Sequence, residues 1–152
     1  MTGFRRGVRI GVDVGKARVG VARCDPDGML ATPVETVPRD EQSVARVLAI
    51  AEEYSAMELI VGLPLNMQGQ ETPSTTDSRE FAAALAASGI AVRLVDERLT
   101  TVSAHAQMRS VGRKQKQTRG IIDQVAAVVL LQQAIDTEKQ RGTAPGVPVE
   151  TV

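Results

Sequence analysis

Three acids in this 152-residue chain stand at positions where a carboxylate calls for a chemical reason. Asp13 lies in VRIGVDV (8–14), in which Val8, Ile10, Val12 and Val14 alternate with Arg9, Gly11 and Asp13. That is the period of a strand, and it sets Asp13 on the face opposite the apolar row. Glu97 ends the apolar run IAVRLVDE (90–97). Asp123 shares a helical face with Ala126, Ala127, Leu130 and Ala134, a surface that otherwise turns to the core. A carboxylate held there needs a cation or donors. Three such acids could share Mg²⁺ or Mn²⁺, which prefer oxygen ligands. Two such ions about 3.5–4 Å apart can activate a water and stabilise the leaving oxygen of a phosphodiester. One histidine, His105, and one cysteine, Cys24, leave no cluster for zinc.

Plainer readings use the same residues. A strand aspartate can pair with a lysine or arginine. Asp123 can serve the dipole of its helix near the N-terminus. Glu97 can pair with the adjacent Arg98, and Asp96 competes for its role.

The positive charge is local. Lys and Arg total 18, as do Asp and Glu, so the net charge is zero. Yet RSVGRKQKQTRG (109–120) carries Arg109, Arg113, Lys114, Lys116 and Arg119 with no acid, and the N-terminus adds Arg5, Arg6 and Arg9. A patch of this kind suits a polyanion, with salt-sensitive and sequence-independent affinity.

The elements that must position these residues follow from the pattern. VRIGVDV, VGVARC (19–24) and MLATPVETV (29–37) read as three strands joined by GKAR and DPDG, an antiparallel meander. Residues 38–55 carry Val44, Val47, Leu48 and Ala51 at helical spacing, with Asp40 as N-cap. ELIVGL (58–63) is a short buried strand. A loop over 64–75 leads to a helix over 76–88 stopped by Gly89, and IAVRLVDE is the fifth strand. Thr100 or Thr101 caps a helix to about Arg109, the basic stretch follows, and a last helix spans 119–136. The tail, 137–152, has glycine, proline and no periodicity, which predicts disorder. The order predicts an α/β fold in one domain, with a mixed five-stranded sheet and helices on both faces.

Composition narrows the functional classes. Hydrophobic residues make up 43 %, enough for a core in one domain. No window approaches a membrane span, and MTGFRRGVRI lacks the apolar segment of a signal peptide, so a cytoplasmic protein is expected. Aromatics at 2 % argue against a single-strand binder built on stacking platforms. Cys24 reads as a small residue ending a strand.

Four segments in order, IGVDVGKARVGVA (10–22), ELIVGLPLNMQGQETPST (58–75), VRLVDERLTTVSA (92–104) and GIIDQVAAVVLLQ (120–132), resemble the YqgF family, also called RuvX. The resemblance covers about residues 8–136. It implies an RNase H-like fold and either of two activities, trimming of the 5′ end of the 16S rRNA precursor or resolution of Holliday junctions. It carries the family's three acids onto Asp13, Glu97 and Asp123 as metal ligands and catalytic residues, with Mg²⁺ or Mn²⁺ in a two-metal site. Around them, Gly15 would let a phosphate approach the backbone, with Lys16 and Arg18 beside it. Asn66 and Gln68 could meet sugar or base edges. Arg98, Thr100 and Thr101 could hold phosphate at a helix start. Arg113, Lys114 and Lys116 would track the nucleic-acid backbone. The expected partner is structured RNA or branched DNA, and not a membrane. A two-fold symmetric junction would call for a homodimer. A non-catalytic nucleic-acid-binding regulator on this fold is the alternative from another class.

Overall fold

The computed structural model describes residues 4–97 and 119–149, and the side chains of 119–123 fall outside that description. The expected helix after Thr100 and the basic stretch, with Arg98, Thr100, Thr101, His105, Arg113, Lys114 and Lys116, lie outside the described residues.

The chain runs β1 (Arg9–Val14), β2 (Arg18–Cys24), β3 (Ala31–Pro38), α1 (Ser43–Glu53), β4 (Glu58–Leu63), α2 (Pro73–Ala86), β5 (Val92–Asp96), α3 (Arg119–Arg141) and β6 (Val147–Pro148). The strands form one sheet in the order β3-β2-β1-β4-β5-β6. The first three make the expected antiparallel meander, and β1, β4 and β5 run parallel at its centre. Parallel neighbours need crossovers, and α1 and α2 provide them. The carboxyl ends of β1, β4 and β5 therefore lie together.

Alternation along β1 divides two cores. Ile10 and Val12 join Val61, Leu63, Val47, Ile50, Phe81 and Leu85 under α1 and α2. On the other face, Ala22, Ile60 and Val95 pack against Ala127, Leu130, Leu131 and Ala134 of α3. Gly11 is where α3 comes closest. A β-carbon there would stand 2.8 Å from Leu131 Cβ and 2.9 Å from the Ala127 carbonyl oxygen.

At the opposite end of β1 the helix is fastened by charge. Arg9 and Glu138 are both buried and pair at 2.8 Å, while Arg5 bridges Glu138 at 2.8 Å and Glu58 at 3.0 Å. Burial opposes ionisation of Glu138, but hydrogen bonds from Arg5 outweigh it and hold the carboxyl below its usual range. Arg6 pairs with Asp27. The N-terminal cations counted above toward a polyanion surface are thus engaged within the fold, because two buried acids at this end need countercharge.

Other boundaries shift for local reasons. α1 begins at Ser43 with Gln42 as N-cap. Asp40 instead closes the turn before it, accepting the Gln42 N–H at 2.7 Å. α2 begins at Pro73, since proline fits the first helical position, and Thr75 Oγ1 accepts the Thr72 N–H at 2.9 Å.

The region expected to be a disordered tail carries structure. α3 continues to Arg141, anchored through Glu138, and Val147–Pro148 pair antiparallel to β5 as a sixth strand. Arg93 secures the approach by donating to the carbonyls of Pro145 at 2.6 Å and Gly146 at 3.2 Å. Two residues carry no periodicity, and proline is tolerated on a sheet edge. Among the described residues no helix is long and apolar enough to cross a membrane.

Candidate active site

The site is built at the carboxyl edge of the parallel strands. Asp13 follows Val12, which pairs with Val61, so Asp13 lies level with Gly62 on the α3 face of the sheet. Gly62 in turn pairs with Val95. Strand alternation puts Val95 and Glu97 on that same face and Asp96 on the other. Glu97, and not its neighbour, thus crosses the sheet toward Asp13.

Glycine at 62 makes the crossing available. A β-carbon there would stand 2.9 Å from Glu97 Cγ and would collide with Glu97 Oε1. Glu97 is half-buried and hydrogen-bonded to Asp13. Its pKa is pushed up to about 8, first by burial, then by the Asp13 charge and their hydrogen bond, and last by Asp96. Burial and like charge thus resist full ionisation of the Asp13–Glu97 pair at neutral pH.

Gly62→Ala should leave the fold in place, because the obstructing atoms belong to a side chain that can swing away. It should displace Glu97 and lower any cleavage roughly tenfold or more, the scale on which misplaced catalytic groups cost rate. Initial rates beside an unchanged melting temperature would check this.

Asp123 occupies α3 one turn before Ala127. The helix runs antiparallel to β1, with Glu138 at Arg9 and Ala127 and Leu131 at Gly11. The next turn back brings the helix backbone at Asp123 toward the Asp13 end of the strand. Among the described residues no group of three or more His, Cys, Asp or Glu is arranged to hold a metal.

The donor set suits a hard cation all the same. Asp13 and Glu97 offer two carboxyls in contact, and full ionisation is resisted by burial and like charge. A divalent cation on oxygen ligands would relieve both.

The turn between β1 and β2 brings the expected cations to this edge. Lys16 is exposed and lines an open cleft of about 420 Å³ with Arg39, Asp40, Pro73 and Asp77. Arg18 begins β2 at the same end. The 64–75 loop leaves β4 here as well. Asn66, expected to reach sugar or base edges, uses its side chain to shape that loop. Its Oδ1 accepts the N–H groups of Gln68 at 3.0 Å and Gln70 at 2.9 Å, and its amide donates to Gln70 Oε1 at 3.2 Å. Met67 is turned outward, 93 % exposed.

Sequence reasoning passed over Gly62, Arg39 and Asp77. Arg39 donates to Asp77 through both prongs, at 2.9 and 2.7 Å, and to the Gly15 carbonyl at 2.9 Å. The Arg39 guanidinium holds the Asp77 carboxyl below its usual range, with Lys16 adding to the effect. No local spacing joins residues 38 positions apart. Gly62 could have been noticed as the one residue without a side chain in the apolar buried run Leu59–Leu63.

Comparison with known proteins agrees with this architecture. Residues 7–137 match the family described as "RuvX: Holliday junction resolvase". A protein of Clavibacter michiganensis named "Putative pre-16S rRNA nuclease" is 54 % identical over 150 residues, covering 96 % of this chain and 93 % of its own. One of the same name from Streptomyces avermitilis is 51 % identical over 154 residues, covering 99 % of each. Among solved structures, "T. thermophilus RuvC in complex with Holliday junction substrate" superposes with a TM-score of 0.60 at 16 % identity, over 93 % of this chain and 98 % of that one. Likeness at that identity bears on the fold, which is RNase H-like. The sheet topology, the two-faced helix packing and the family match over most of the chain agree, and the chain belongs to the RuvX (YqgF) family.

Proposed function

We propose that this protein is a metal-dependent endonuclease that hydrolyses phosphodiester bonds in the 16S rRNA precursor, trimming its 5′ end during ribosome maturation. The observation that carries this reading is the Asp13–Glu97 pair, two carboxyls brought into contact over Gly62 at the carboxyl edge of the parallel strands. The names of relatives at about half identity support the substrate.

Asp13, Glu97 and Asp123 would hold Mg²⁺ or Mn²⁺, the hard oxygen-seeking ions that such a donor set fits. One or two such ions supply a water nucleophile at neutral pH and stabilise the leaving oxygen. Glu97 must give up its proton for the ions to bind, so affinity rises with pH up to about 8. Lys16 and Arg18 meet the phosphates next to the cut, and Asn66 acts through the loop it shapes. Arg98, Thr100 and Thr101 hold phosphate beyond β5, and Arg113, Lys114 and Lys116 follow the nucleic-acid backbone. Acting on ribosomal precursors, the protein would be cytoplasmic.

A second reading is resolution of Holliday junctions, favoured by the family's description and the RuvC-like fold. It requires two coordinated cuts and therefore a homodimer. The test is side-by-side incubation of the purified protein with 5′-extended 16S precursor and with a synthetic four-way junction, in Mg²⁺ or Mn²⁺. Cutting of the precursor alone supports the first reading. Paired symmetric cuts in the junction by a dimer support the second. Binding without cleavage of either would make the protein a non-catalytic regulator.

A further inference from the structure

The turn that follows Asp13 is short and exposed at its tip, where Lys16 and Ala17 face solvent. It is closed across β1 and β2 by the Gly15 N–H donating to the Arg18 carbonyl at 2.9 Å. Arg39 adds two further bonds to it. The Arg39 N–H donates to the Ala17 carbonyl at 2.9 Å, and Arg39 Nη1 donates to the Gly15 carbonyl at 2.9 Å. Arg39 is itself held on α2. Asp77 grips it through both prongs, and the Phe81 ring lies 5.1 Å from its guanidinium carbon.

We propose that Arg39, fixed by Asp77, is a positioning residue that holds the Gly15–Arg18 turn and through it sets the Asp13 carboxylate for metal binding and catalysis. This rests on the nuclease reading above. Only Val14 separates Asp13 from Gly15, whose carbonyl is clamped, too little chain to absorb a shift of the turn without moving the acid. Arg39 and Asp77 are 23 % and 34 % exposed, so this half-buried, bidentate pair contributes to stability as well as to the geometry of the turn, and the two effects are separated by measuring melting temperature beside kcat. Lysine is no substitute, since it lacks the fork that engages a carboxylate and a carbonyl together.

The test uses the full chain with Arg39→Ala, Arg39→Lys and Asp77→Asn. Loss of a group that orients a metal ligand costs roughly 10- to 100-fold in activity or metal affinity. In Arg39→Ala, kcat for precursor cleavage should fall by that range, while KM stays within about twofold because no substrate contact is removed. Arg39→Lys should restore the melting temperature without restoring kcat. Asp77→Asn should lower kcat in the same direction and keeps the question open to measurement if Arg39→Ala does not fold. An unchanged kcat in these variants overturns the proposal. So does a raised KM with normal kcat, which would make Arg39 a strand-binding residue. If the wild type cuts neither precursor nor junction, the nuclease reading has failed on its own. Positioning is then decided by Mn²⁺ titration followed by electron paramagnetic resonance. Roughly tenfold weaker binding in Arg39→Ala supports it, and equal affinity overturns it.

Discussion

Asp13→Asn is expected to abolish cleavage while leaving the protein folded. The loss should exceed the roughly 100-fold upper end seen when only a supporting partner of a metal ligand is removed, since here the ligand itself goes. The fold should survive because asparagine is nearly isosteric and the strand is held by Ile10 and Val12 in one core and by Gly11 against α3 in the other. The same change removes a negative charge that holds up the Glu97 pKa. Glu97 should then ionise at lower pH, and the variant should resist alkaline pH better than the wild type. Initial rates on precursor RNA, melting temperatures across pH and the Glu97 carboxyl resonance against pH would check all three parts. A folded Asp13→Asn that cuts within a fewfold of wild type would remove Asp13 from the chemistry.

Glu97→Gln is expected to separate stability from function. The Glu97 pKa is about 8 in the folded chain and near 4.5 when unfolded. As pH rises between these values the unfolded chain releases a proton that the folded chain keeps. The stability tied to Glu97 is therefore present in full below about pH 4.5 and lost as pH rises through about 8. Glutamine removes that loss. At pH 9 without divalent metal, the variant should be more stable than wild type by on the order of a few kcal/mol. The gap should close toward pH 4, and activity should be lost at every pH. Denaturation in chelator at pH 4, 7 and 9 would show it. Wild-type stability that is flat or rising over this range would contradict a half-buried Glu97 that resists ionisation. Added Mg²⁺ or Mn²⁺ should narrow the gap at pH 9 by binding only the folded wild type.

Much of the frame was legible because periodicity is local. The alternation in VRIGVDV assigned Asp13 to the face away from the apolar row, and the structure puts α3 on that face. The sequence left Asp96 as a rival to Glu97, and it is the register of β4 with β5 that puts only Glu97 on the Asp13 side of the sheet. What stayed hidden depends on distant contacts. Arg39, just past the end of β3, and Asp77 of α2 are brought together only by the tertiary fold, and either residue alone reads as an ordinary surface charge. Arg5 and Arg9 read as part of a basic surface because their partners, Glu58 and Glu138, lie far along the chain. The sixth strand could not be read from two residues beside prolines, because Arg93 on another strand holds that segment in place. Asn66 offers an exposed loop amide to nucleic acid, and that the same amide also shapes the loop is a matter of geometry the sequence does not carry.

The central claim is that the carboxyls gathered at the ends of β1 and β5, with Asp123 of α3, form a metal-dependent hydrolytic centre. The most direct test is cleavage of a 5′-extended 16S precursor by the purified protein in chelator, then after restoring Mg²⁺ or Mn²⁺, beside Asp13→Asn under the same conditions. The expected result is no product in chelator, discrete 5′ products once metal returns, and none from Asp13→Asn in either condition. Product formed in chelator, or equal product from Asp13→Asn, would contradict it.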